Sequence, residues 1–415
     1  MNGSQLRQDA SGAPRDHDGV TVAAPGPRGG VPEVFFAFLR LGLTSFGGPI
    51  AHLGYFRAEF VEKRRWLGEN AYAELVAISQ FLPGPASSQT GFGLGLLRAG
   101  LPGALAAWTG FTLPSALLMF AFALGAGQIA DTARGAGLLH GLKLVAVAIV
   151  AQAVAGMART LCPDRARAAI AVAGVFAVLL VPGSPGQIAA ILTGAALGLL
   201  LCRGADSPGA GLAVPVSRTS GAICLAAFFV LLAIAFLPLG HTPAGLVAAF
   251  YRAGALVFGG GHVVLPLLRD AVVAPGWTSD ASFLAGYGAA QALPGPLFTF
   301  AAYLGAVSAP GPRWLFAGAA LIAIFLPGVL ALVGALPFWQ ALRSRPRAQA
   351  AMAGVNAAVV GLLASALYTP VWTSAVRSPI DFAVAAAAFA ALVAGGVPPI
   401  LVVLACGAVG AALAG

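Results

Sequence analysis

Charge is what this sequence has least of. Charged residues make up 9% of its 415 residues, and only 14 of them are acids. An ordinary soluble domain carries roughly 25%, because its surface must be solvated. So few ionised groups cannot coat a water-facing surface of this size, which excludes a soluble enzyme and a soluble nucleic-acid binder. Cysteine is scarce too. Cys162, Cys202, Cys224 and Cys406 lie far apart in or beside apolar runs, with no CxxC or metal-ligand spacing, so a secreted disulfide scaffold falls and no metal site is expected. GxSxG, HExxH, a Walker loop and a usefully spaced carboxylate pair are all missing. No catalytic site, cofactor or ATP-driven engine is therefore expected within this chain.

What is present is apolar. Hydrophobic residues reach 59% and mean hydropathy is +0.88. Runs of about 17 to 25 apolar residues recur, the length that a hydrocarbon slab of roughly 30 Å demands. The fold class expected is an all-α polytopic membrane protein in contact with the lipid bilayer. Lys plus Arg is 23, giving a net charge of +9. Residues 1–32 are polar, their charges cancel, and they lack a signal-peptide pattern, so they read as a disordered tail. The excess then sits in the membrane part, much of it as loop Arg of the positive-inside kind.

An internal repeat organises the rest. FLRLGLTSFGG at 38–48 recurs as FYRAGALVFGG at 250–260, SQFLPGP at 79–85 as AQALPGP at 290–296, and GLKLVAVAI at 141–149 as GVNAAVVGL at 354–362. The offset stays near 212, as from Arg40 to Arg252, which is gene duplication and the usual construction of secondary transporters. Six apolar segments fall in 33–203 and six in 247–415. Between them, 204–246 holds a linker and one unpartnered apolar run, 221–239. About thirteen segments result, some open to a re-entrant reading. An odd count before the second half would make the repeats inverted. With every segment spanning, loop basic residues divide ten against seven in favour of a cytoplasmic N-terminus.

Candidate functional residues follow from what is costly at membrane depth. Arg40, Arg252 and Lys143 fall inside apolar runs, where a charge costs at least about 2.5 kcal/mol and usually faces a cavity or partner. Glu74 is the one acid placed well inside a span, so buried cations outnumber buried anions and an anion from outside would balance them. The competing reading is that the arginines snorkel or bond backbone carbonyls. Pro83-Gly84-Pro85 and Pro294-Gly295-Pro296 break the second segment of each half, and such breaks are tolerated only against protein or a water-filled cavity. Each restart leaves free N–H groups at the positive end of a helix dipole, an anion site. Gly47-Gly48 and Gly259-Gly260 offer the same device, so four helix starts would converge. Gln80, Gln291, Ser87 and Ser88 flank the breaks as further donors. His262, following the second glycine pair, and His52, beyond the first, are placed to take up a coupled proton. Asn356 stands where the first half has Lys143.

The run F-x-R-x-G-x-x-x-F-G-G-P, Trp66, QFLPGP and the second-half FGGGHVVLPLL and QALPGPLFTFAAYLGA resemble the chromate ion transporter family in its long two-domain form. The resemblance covers nearly the whole chain from residue 34. It implies chromate efflux across a bacterial inner membrane, chromate resistance, sulfate as a related dianion, and oppositely oriented homologous domains. Arg40, Arg252, both glycine pairs, both PGP blocks, Gln80, Gln291 and His262 sit on matching motif positions. Substrate binding is thus expected from these residues together with Ser87, Ser88, Lys143 and Asn356. The partners expected are chromate, the bilayer, a coupling proton and, in one arrangement, a second copy in a homodimer. The alternatives are a sulfate or other oxyanion transporter and, from another class, a membrane-embedded lipid-phosphate enzyme or scaffold.

Overall fold

The computed structural model describes residues 29–46, 48–181, 183–202, 215–258 and 261–414. No strand occurs among the described residues. The chain runs through α1 (Val31–Thr44), α2 (Gly48–Phe56, prolonged as a π-helix over Arg57–Lys63), α3 (Glu69–Phe81), α4 (Ala86–Ala130), α5 (Ala133–Leu161), α6 (Arg165–Leu180) and α7 (Ser184–Leu201). After α8 (Arg218–Ala235) come α9 (Pro243–Ala255), α10 (Val264–Val272), α11 (Asp280–Gln291), α12 (Phe300–Val307) and α13 (Arg313–Ala335). The last are α14 (Trp339–Arg343), α15 (Pro346–Ala366), α16 (Thr373–Ala375), α17 (Pro379–Val393) and α18 (Pro399–Leu413). Among the described residues, five stretches are long and apolar enough to cross a membrane: Ala86–Gly125, Ala133–Leu161, Arg218–Ala235, Arg313–Phe338 and Pro346–Ala375. Shorter apolar helices such as Pro185–Leu201 and Pro379–Val393 accompany them.

The tail expected over 1–32 lies outside the described residues up to position 28, and Val31-Pro32 already open α1, proline being suited to a first helical turn. Most of the linker, 203–214, is likewise outside them. Elsewhere the helix starts follow ordinary chemistry. Thr132, Asp164, Ser217, Thr242, Ser279 and Ser378 each accept a backbone N–H three residues on. At α6 the Arg167 N–H and guanidinium hold the Asp164 carboxyl below the usual carboxylate range.

Of the two readings left open for the apolar segments, the first segment of the chain, 34–53, takes the re-entrant one and is no continuous span. α1 and α2 form a hairpin, with Phe38 stacked on Phe60 at 4.7 Å and edge-on to Phe56. Its two ends return together, because Trp66 donates to Glu33 at 3.2 Å and Arg64 lies 3.6 Å from the same carboxylate. The segment 70–97 also doubles back: Arg98, past the break at 83–85, reaches Glu33 at 3.2 Å. The segments 247–267 and 281–307 behave alike. His241 stacks on Trp277 at 4.6 Å, joining the ends of the α9–α10 hairpin, and the Ser282 and Tyr303 hydroxyls meet at 2.8 Å across α11 and α12. The physical reason is that glycine and proline at each break remove both the helical hydrogen bond and the steric bias that would carry the helix on.

After the second hairpin the chain reverses at Ala99-Gly100 (Gly100 φ +65°), so α4 is two antiparallel arms. A methyl group on Gly95 would stand 2.4 Å from the Gly103 carbonyl, so the arms touch backbone to backbone. The same small-residue spacing packs Gly137 and Gly141 of α5 against Gly410 and Cys406 of α18, and Gly194 and Gly198 of α7 against Gly354 of α15. Lipid supplies no hydrophobic drive between helices, so close van der Waals approach must hold them. Outward faces are apolar: Leu180 is 77% exposed and Leu200 78%.

Candidate functional site

The four breaks meet. Gly84, between Pro83 and Pro85, donates its backbone N–H to the Val257 carbonyl at 2.8 Å. Gly295, between Pro294 and Pro296, donates to the Ser45 carbonyl at 2.9 Å. Each PGP loop is thereby tied to the carbonyl two residues before the glycine pair of the other half. Both glycines are left-handed, Gly84 at φ +124° and Gly295 at φ +89°, which an L side chain resists. Gly48 (φ +77°) opens α2 opposite His262, whose Nε2 lies 4.0 Å from where a Gly48 methyl would be, and Gly261 faces Pro49. Gly47, Gly259 and Gly260 lie outside the described residues.

The long helices brace these tips. Proline at 114 and 327 frees backbone within α4 and α13, and the PGP loops pack there. A methyl on Gly84 would reach Gly328 Cα at 2.8 Å, and one on Gly295 would reach Ser115 Oγ at 2.9 Å. Gln89, 2% exposed, donates from Nε2 to both the Pro83 carbonyl (3.0 Å) and the Gly328 carbonyl (2.9 Å).

A family comparison fits this geometry. The model of the family described as chromate transporter matches residues 32–199 and again 244–411. The chain belongs to the chromate transporter family. It is 32% identical over 378 residues to the chromate transport protein of Pseudomonas aeruginosa, covering 87% of this chain and 86% of that one. It is 29% identical to the probable chromate transport protein of Synechococcus elongatus (80% and 82% covered) and 26% identical to the chromate transport protein of Cupriavidus metallidurans (81% of each). No solved structure matches. The relatives are named as transport proteins, and this chromate transporter is an integral membrane protein.

Within this transporter the expected site residues separate into two groups. Gly48, both PGP blocks, Ser87 and His262 are brought to the junction, and Ser88 adjoins Ser87. His262 Nδ1 pairs with the Tyr287 hydroxyl at 2.8 Å, and Gln291 reaches the same tyrosine while its Nε2 finds no partner among the described residues. Gln80 is exposed one residue before Phe81 ends α3. Asn356 is half-buried in α15, its Oδ1 without a described partner.

The basic residues are not brought together. Arg40 is exposed on α1. Arg252 donates to the Ala235 carbonyl at 3.2 Å and lies 5.6 Å over the Phe236 ring, so it closes the C-terminal end of α8. Arg252 thus follows the competing reading, in which a membrane arginine bonds a backbone carbonyl. The helix N-terminus points away from the tip, and side chains lean toward it, so both arginines are carried back from the junction. Lys143 is half-buried instead in a cavity of about 740 Å³ lined also by Asp131, Ser282, Tyr303 and Arg313.

Several contacts were not legible beforehand. Glu74 is buried as expected (7% exposed), but its partner is Trp339, whose Nε1 donates at 2.9 Å. Asp381, expected in a loop, is also buried (8%) and binds His140 Nε2 at 2.7 Å. Tyr287 carries no motif, and Ser45 falls at an unassigned position of the FLRLGLTSFGG run. A tyrosine four residues before Gln291 was the available signal for the first.

Proposed function

We propose that this chain exports chromate from the cytoplasm across a bacterial inner membrane, and so confers chromate resistance, by alternating access around the junction of the four hairpin tips. The observation that carries this reading is the reciprocal pair of backbone bonds, Gly84 to Val257 and Gly295 to Ser45. Both join matched motif positions across the two halves, as an approximate two-fold relation between inverted repeats requires. That relation supports domains at 33–203 and 247–415, joined through 204–246. Broken helices whose restarting N-termini face one another at mid-depth are how secondary transporters receive anions. The junction residues we assign to substrate are Gly48, Gly84, Gly295, Ser87, Ser88, His262 and Gln291, with Lys143 in the cavity it shares with Asp131 and Arg313.

Folding the first two segments of each half into hairpins also changes the charge balance. Four crossings in the first half plus α8 keep the count odd, so the halves still enter from opposite sides. Arg57, Lys63, Arg64, Arg65, Arg98, Arg159, Arg165, Arg167, Arg203, Arg218, Arg343, Arg345 and Arg347 then share the side of the N-terminus. Arg134, Arg269, Arg313 and Arg377 take the other. Thirteen against four supports a cytoplasmic N-terminus far better than ten against seven. Energetics favours the outward direction. An inside-negative membrane favours outward movement by about 2.3 kcal/mol per elementary charge per 100 mV, and by about twice that for a dianion. Export therefore needs no coupled ion, whereas uptake does. Everted vesicles from cells expressing the protein should accumulate chromate. Accumulation no greater than in vesicles lacking it would refute export.

A further inference from the structure

We infer that the tetrahedral oxyanion is held on one side of the junction, by Ser45 and His52 of the first half against the Gly295 loop of the second. The inference rests on the transport reading above and deepens it. Ser45 is 0% exposed and His52 1% exposed, yet Ser45 Oγ and His52 Nε2 have no hydrogen-bond partner among the described residues. Buried polar atoms are nearly always paired, so two unpaired ones in one place point to a ligand.

They are in one place. The Ser45 carbonyl receives the Gly295 N–H and also lies within hydrogen-bond reach of the His52 imidazole. Gly295 lies against the Phe111 carbonyl, 3.1 Å from its Cβ position, and the Phe111 ring stands edge-on to the His52 imidazole at 5.2 Å. On its other nitrogen, His52 faces the Ser87 hydroxyl at 3.4 Å. In the tautomer in which Nδ1 accepts from the Ser87 hydroxyl, the imidazole proton lies on Nε2, which is then a donor. The Ser45 hydroxyl is a second donor, and neither residue is acidic. Oxyanions accept; they do not donate.

The twin location in the other half lacks this set. Matching the repeats places Val257 where the first half has Ser45, Val264 where it has His52 and Phe298 where it has Ser87. All three are buried apolar residues, 0%, 0% and 1% exposed. Duplication thus preserved the backbone junction while only one half kept the donors. A site of neutral donors also suits transport, since an anion must leave as readily as it enters.

The test uses purified full-length protein in liposomes, with chromate as the probe. Ser45→Ala and His52→Ala should each raise the chromate KM tenfold or more. His52→Gln, which keeps an N–H near the Nε2 position, should recover part of the loss, and Val264→Ala in the twin should stay within twofold of wild type. Thermal unfolding confirms that each variant is folded, and if His52→Ala is not, Ser45→Ala and His52→Gln decide. Folded Ser45→Ala and His52→Ala variants with chromate KM within twofold of wild type overturn the inference. Should the wild type move no chromate, the transport reading fails instead. The site is then judged by thermal stabilisation with chromate in detergent: loss of that shift in Ser45→Ala upholds it, and an unchanged or absent shift rejects it.

Discussion

Gly84→Ala is the substitution whose consequence can be worked furthest from the geometry. At φ +124° the backbone is in a region where a non-glycine residue costs about 1–3 kcal/mol. The new methyl would stand 2.8 Å from Gly328 Cα, backbone that cannot rotate away. Displacing it is overpacking, worth another 1–3 kcal/mol or so. Any shift that relieves the clash stretches the 2.8 Å bond from Gly84 to Val257, or the bonds from Gln89 that hold Pro83 and Gly328. About 2 to 6 kcal/mol is expected in total, a large part of the roughly 5–15 kcal/mol that stabilises a typical fold. Gly396→Ala is the matched control. It also has positive φ (+60°), but nothing lies within 4 Å of the added methyl. It should cost about 1–2 kcal/mol, the left-handed backbone term alone. Unfolding temperature in detergent and chromate flux in liposomes read both variants. A Gly84→Ala protein that melts no lower than Gly396→Ala and transports at the wild-type rate would refute the claim that the tips are locked together.

Three further outcomes follow from particular contacts. Trp339→Phe removes the indole N–H from buried Glu74 and should destabilise the protein by about 1–3 kcal/mol, seen as a lower unfolding temperature. Arg252→Ala deprives the C-terminal end of α8 of its cation and should cost about 1–2 kcal/mol, whereas exposed Arg40→Ala should stay within about 0.5 kcal/mol and keep its chromate flux. Lys143→Ala should raise the KM for chromate by lowering the anion concentration in its cavity, with Lys143→Arg close to wild type and the difference shrinking as salt rises.

The membrane class and the positions of nearly all helices were legible from the sequence because apolar runs and Gly/Pro breaks are local signals. The meeting of the tips was foreshadowed by the duplicated FGG and PGP motifs, each of which marks its own break. Whether a broken segment crosses or turns back was not legible. That depends on where its far end goes, and the decisive contacts, Glu33 with Arg98 and His241 with Trp277, join residues far apart in the chain. The arginines misled for a related reason. Recurrence in both halves suggested shared work at a centre, but a side chain one turn before a break leans back along its helix, toward α8 for Arg252. From the sequence His52 reads as a proton site and Ser45 carries no reading at all, because a single polar residue in an apolar run has no pattern, and only burial without a partner marks either as a ligand donor.

The account stands most directly on whether an oxyanion crosses through this junction. Purified wild-type protein in sealed liposomes, given a chromate gradient and an inside-negative potential, should carry chromate outward in a saturable manner. The potential should speed it, and Gly84→Ala should abolish it. Chromate release indistinguishable from protein-free liposomes, or equal in wild type and Gly84→Ala, would contradict it.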